Sequence, residues 1–169
     1  TTGVTLFDQG FQTMSTVSPS DLRVHGETAF QCDLVGMSAQ GTGPYRQVLT
    51  EMAEELHVPN LTELPLFLPN PNSQLTDTKA MNRNTIIPNP SAGATNALEM
   101  YEFFGRLIGI AIRNSSKGTV LPLYLTSTFW KQLSREKLTE NDFKGIDEKM
   151  WKQLRDLDKC MLFFSFISQ

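Results

Sequence analysis

Residues 96–113, NALEMYEFFGRLIGIAIR, make the longest stretch of helical apolar spacing in the chain. Leu98, Tyr101, Phe104, Leu107, Ile108, Ala111 and Ile112 recur three and four residues apart, which predicts an amphipathic helix. Asn96 with Glu99 is a capping pair, because each side chain can bond an orphan N–H of the first turn. Residues 114–118 supply the stop. Gly105 and Gly109 lie one turn apart on one face. Each costs about 1 kcal/mol relative to alanine inside a helix, so a closely approaching backbone is expected there. This helix is read as central.

Upstream, residues 45–56 place Tyr45, Val48, Leu49, Met52, Ala53 and Leu56 on one helical face. Glu51, Glu54 and Glu55 fall outside it as a solvated polar side. Pro44 suits the first turn, where a missing N–H is harmless. The preceding residues 36–45 hold three glycines and read as a loop. In 28–35, Phe30, Cys32 and Leu34 alternate with Gln31 and Asp33, predicting a half-buried strand with Cys32 inward. Residues 1–20 leave loop and helix open.

Residues 57–95 are punctuated by proline and asparagine. Residues 64–68 and 85–87 are apolar pieces sized for short strands, each closed by an Asn-Pro turn. Downstream of the central helix, LPLYL (121–125) is an extended entry to a helix carrying Phe129, Trp130 and Leu133, capped by Thr126 or Ser127. Thr139 caps a short helix. Asp147 opens a last helix through residue 157, with basic residues late, as the helix dipole prefers. Met150, Leu154 and Leu157 form a stripe on it at i, i+4, i+7, and that spacing fits a core face as well as a partner groove. The apolar end, CMLFFSFISQ (160–169), reads as a strand. With Thr rather than Met first and no polar closure last, the chain is expected to be a piece of a larger protein.

The chain has 169 residues, 40% of them apolar, and a net charge of -3, enough for a core and without the basic stripe of a nucleic-acid binder. The longest apolar run is shorter than a membrane span and contains Arg106. Two cysteines far apart make no disulfide framework and fit a reducing intracellular compartment, cytoplasmic or nuclear. His25 and His57 lack partners at metal-ligand spacing, so neither metal nor cofactor is expected. Cys32 and Cys160 are read as buried small hydrophobes. The glycine cluster lacks the Gly-Lys-Ser/Thr of a phosphate loop. No active site is visible in the residue chemistry.

The ordered set EMYEFFGRLIGIAIR, LPLYLTSTFWKQL and LTENDFKGIDEKMWKQLRDL resembles the amino-terminal lobe of HECT-type ubiquitin ligases. Upstream, GTGPYRQVLTEMAEEL and NPSAG are similar to that family's glycine-rich turn and Asn-Pro element. The resemblance covers about residues 28–169, and large multidomain members are nearest in pattern. It implies an α+β, mainly α fold: a lead-in over 1–27, the large subdomain of the lobe over 28–146, and over 147–169 the start of the subdomain that binds the conjugating enzyme. It also implies a transferase that takes ubiquitin from a ubiquitin-conjugating enzyme as a cysteine thioester and passes it to substrate lysines. Neither Cys32 nor Cys160 matches the catalytic position, so no catalytic residue is assigned here. Met150, Gln153 and Leu154 match conjugating-enzyme contact positions, with Leu157 and Met161 adjacent. Gln40 stands where many members are acidic, and Asn84 or Thr85 where many carry an aromatic that holds a second ubiquitin. The competing reading is a non-catalytic helical interaction domain, or a degenerate HECT domain that only binds.

Overall fold

The computed structural model describes residues 5–23, 28–32, 41–57, 66–77, 79–92 and 97–167, without the side chains of 161–167. Its helices are α1 (Leu6–Met14), α2 (Thr42–Glu55), α3 (Ala97–Arg113), α4 (Ser127–Leu133), α5 (Glu140–Lys144) and α6 (Glu148–Ile167). Two short strands, β1 (Phe67–Pro69) and β2 (Ile86–Pro88), pair with each other. The fold is α+β and mainly α, as the resemblance implies. The chain divides into two compact units, Thr1–Phe67 with Pro88–Leu123, and Leu68–Ile87 with Tyr124–Gln169.

The first unit is built around aromatic packing on α3. Phe103 meets Phe7 at 5.4 Å and Phe11 at 6.0 Å between ring centroids, and Phe104 meets Phe67 at 5.0 Å. From α2, Tyr45, Val48, Leu49, Met52 and Ala53 are all buried, as their spacing predicts. Gly41 enters this helix at φ +103°, a conformation that glycine adopts without a Cβ clash. The Tyr45 phenol accepts the Asn114 side-chain amide at 3.1 Å, and burial pushes its pKa up. Helix α1 is closed at its start by Thr5, whose hydroxyl accepts the N–H of Asp8, and by Glu55. Glu55 is therefore a cap rather than part of a solvated acidic face: its carboxylate accepts the N–H groups of Leu6 and Phe7 at 2.9 and 2.8 Å.

Several expectations are corrected here. The buried face of α3 includes Phe103 and Ile110, whereas Leu98 and Ile112 are 79% and 65% exposed. A helix with apolar residues on most sides does not reveal by periodicity which side the core takes. Among the described residues nothing lies within 4 Å of a Cβ placed on Gly105, and the Arg113 guanidinium is all that lies near one on Gly109. Gly10 of α1 does have a packing reason: a Cβ there would stand 2.5 Å from Met52 Cε and 3.3 Å from Phe103 Cζ. The expected strand at 28–35 is absent from its described part, 28–32, which is irregular with Cys32 half-buried. His57 turns Nδ1 onto the Ala53 carbonyl at 2.8 Å, while His25, Asn96 and Gln40 lie outside the described residues.

In the second unit the Asn70 N–H donates to Thr85 O at 2.9 Å, and in the first the Asn89 N–H donates to Leu66 O at 2.8 Å. That pattern makes the ladder antiparallel. Within the second unit Ile86 also bridges in parallel to Leu125, so the LPLYL entry is extended as expected. Asp142 secures α5 beside α4. It accepts from the Thr139 N–H and hydroxyl, both at 2.7 Å, and from Lys131 Nζ at 2.9 Å. The Lys131 ammonium, with these Thr139 donors, holds its carboxyl well below the usual carboxylate range.

Candidate docking surface

Helix α6 starts where its sequence asks. Asp147 Oδ1 accepts the N–H of Met150 at 2.8 Å, and Asn72 Oδ1 accepts the N–H of Glu148 at 2.7 Å, so two orphan donors of the first turn are satisfied. Glu148 pairs with Lys152 at 3.0 Å, one turn on. The helix then runs through to Ile167. The apolar segment after residue 160 thus continues the helix instead of forming a strand: a tract of Met, Leu and Phe is compatible with either state. Cys160 is exposed on this helix rather than buried.

One side of α6 is anchored by Trp151. Its indole N–H donates to Glu140 Oε1 at 2.9 Å, and the cations of Lys144 and Arg155 lie 5.1 and 5.6 Å from the ring centroid. Arg155 also reaches the same carboxylate oxygen at 3.0 Å. Helical geometry at 100° per residue puts Met150, Leu154 and Leu157 on a stripe to one side of Trp151, about 60–120° round the helix from it. They are 48%, 46% and 61% exposed, so the stripe is solvent-facing and not core. Gln153 is exposed beside it. Met161 continues the same spacing along the helix backbone, and its side chain lies outside the described ones.

The other surface features carry less chemistry. An open depression of the second unit is lined by Ala80, Asn82, Arg83, Asn84, Thr85 and Tyr124. Its Arg83 guanidinium already donates to the carbonyls of Asp77 and Ser73. Among the described residues no three His, Cys, Asp or Glu gather as a metal group, and no helix is long and apolar enough to cross a membrane. The roles of Asn70, Asn72, Asn82 and Glu140 were not legible in the sequence: Asn-Pro clusters signal turns and say nothing about which distant backbone their amides meet.

The family model described as HECT-domain (ubiquitin-transferase) matches residues 52–166. The E3 ubiquitin-protein ligase HERC2 of Mus musculus is 34% identical over 144 residues, which is 85% of this chain and 3% of that protein. The human HERC2 is 33% identical over the same length and shares. The probable E3 ubiquitin-protein ligase HECTD4 of Homo sapiens is 33% identical over 121 residues, 70% of this chain and 3% of that protein. The chain therefore spans about 3% of the length of the curated relatives it matches.

Proposed function

This chain belongs to the HECT-domain family, and from that premise we propose that it is the scaffold and conjugating-enzyme docking part of a HECT-type ubiquitin ligase. The whole protein then receives ubiquitin from a conjugating enzyme as a cysteine thioester and transfers it to substrate lysines inside the cell. The observation that carries this reading is the solvent-facing stripe of Met150, Leu154 and Leu157 on a helix capped at its start, within the residues that the family model matches. A stripe of this kind is the helical form of an apolar partner surface, read as anchors at i, i+4 and i+7.

Gln153 and Met161 complete the proposed contact, and residues 147–169 are the beginning of the docking subdomain. The acceptor cysteine is neither Cys32 nor Cys160, so this chain by itself forms no ubiquitin thioester. Calorimetric titration of conjugating enzymes into the chain, and into Met150→Asp and Leu154→Asp, tests the docking role. The expected result is binding that each substitution weakens about tenfold or more, as loss of a central apolar anchor does, with melting unchanged. Equal affinity in all three proteins would overturn it. No thiol-sensitive ubiquitin conjugate is expected on the chain, and one lost on Cys32→Ser or Cys160→Ser would refute the assignment of the acceptor elsewhere.

A further inference from the structure

Helices α5 and α6 are joined by an elbow of residues 145–147, and three side-chain amides from far upstream converge on it. Asn72 Nδ2 donates to Lys144 O at 2.9 Å, while its Oδ1 accepts the Glu148 N–H at 2.7 Å. Asn70 Nδ2 donates to Gly145 O at 2.9 Å, and Asn82 Nδ2 reaches the same carbonyl at 3.2 Å. The end of α5 and the start of α6 are thus both bonded by one cluster.

The cluster is built rather than incidental. Asn70 and Asn72 are fully buried, and an amide in that position is costly unless its bonds are made. Asn72 uses its remaining donor on Met81 O at 3.0 Å, and Asn70 Oδ1 accepts the Asn72 N–H at 2.9 Å. Asn82 sits at φ +57°, a left-handed conformation that asparagine tolerates better than most residues. Gly145 leaves room for the grip: a Cβ there would stand 2.7 Å from Asn82 Nδ2 and 3.3 Å from the carbonyls of Asn141 and Asp142.

A hydrogen bond on each side of an elbow fixes both peptide planes, and so the direction of the helix that leaves it. Residues 152–160 of α6 are each exposed, so among its described side chains the first turn, with the Trp151 and Arg155 contacts to Glu140, sets its course. We propose that Asn70, Asn72 and Asn82 are positioning residues for docking: they hold α6 in one direction, so that Met150, Leu154 and Leu157 are presented ready-oriented to the conjugating enzyme. This rests on the docking reading above. The gain is preorganisation, since a helix already in its bound direction loses less freedom on binding.

Spin labels at Gln132→Cys and Lys159→Cys, with Cys32 and Cys160 replaced by Ser, report the direction of α6 relative to α4 through their distance distribution. The unsubstituted elbow is expected to give one narrow distribution. Asn82→Ala should broaden it, and Asn72→Leu should broaden it further. Where α6 spends about a tenth of its time in the presented direction, apparent affinity for the conjugating enzyme falls about tenfold. Unchanged distributions in folded variants overturn the proposal; if Asn72→Leu does not fold, Asn82→Ala decides. Absence of conjugating-enzyme binding in the unsubstituted chain would instead remove the docking reading, while the distances still judge the elbow.

Discussion

The carboxylate of Glu55 accepts the N–H of Phe7 at 2.8 Å, joining the end of α2 to the start of α1 across 48 residues of sequence. Its other oxygen takes the N–H of Leu6, and Thr5 takes that of Asp8, so the first three N–H groups of α1 are all satisfied. A negative charge at this end also opposes the positive pole of the helix dipole.

Glu55→Ala should therefore lower stability by about 1–2 kcal/mol, the usual cost of losing a helix cap, and Glu55→Gln by less. Urea denaturation followed by circular dichroism measures this. A change indistinguishable from zero would show that α1 is held by its Phe7 and Phe11 packing alone.

Asp142 sets an acid limit on the second unit. Lys131 and Thr139 depress its folded-state pKa, so its contribution is fully present above the unfolded value of about 3.9 and is lost as pH falls from there through the folded value. Stability should therefore decline with acidification in that window. In Asp142→Asn the decline should be shallower, because the titrating group is gone. Parallel slopes in urea melts across the acid range would count against this.

Glycine substitutions should split by sign. Gly105→Ala puts a methyl into open space on an exposed helix position and should raise stability by about 0.5–1 kcal/mol. Gly10→Leu forces carbon into the Met52 and Phe103 side chains and should lower it by about 1–3 kcal/mol. Thermal melts of the two variants decide, and the same sign for both would be the contrary outcome.

Met150→Ala and Leu157→Ala should leave stability within about 0.5 kcal/mol of the parent, because both side chains are about half exposed or more. A loss of several kcal/mol in chemical denaturation would mean that the stripe is packed in solution.

Where one apolar face is distinct, sequence and structure largely agree: α2 buries Tyr45, Val48, Leu49, Met52 and Ala53, with Leu56 half-buried just past its end, and α5 is capped by Thr139 as its chemistry requires. Agreement fails in part on α3, where Phe104, Leu107 and Ile108 are buried as their spacing marks, but Leu98 and Ile112 are exposed and Phe103, packed on Phe7 and Phe11, joins the core. It fails again after residue 160, where an apolar tract carried no period strong enough to separate strand from helix.

The sequence by itself determined the helices with one-sided patterns, the short strands beside Asn-Pro turns, the family, and the spacing of Met150, Leu154 and Leu157. Only the tertiary structure decided that this stripe faces solvent, that Glu55 caps α1, and that Asn70, Asn72 and Asn82 grip the elbow before α6. The physical reason is range. Periodicity and capping act within a turn or two of the chain, whereas burial and side-chain hydrogen bonds depend on which residues, up to 76 positions away, fold alongside.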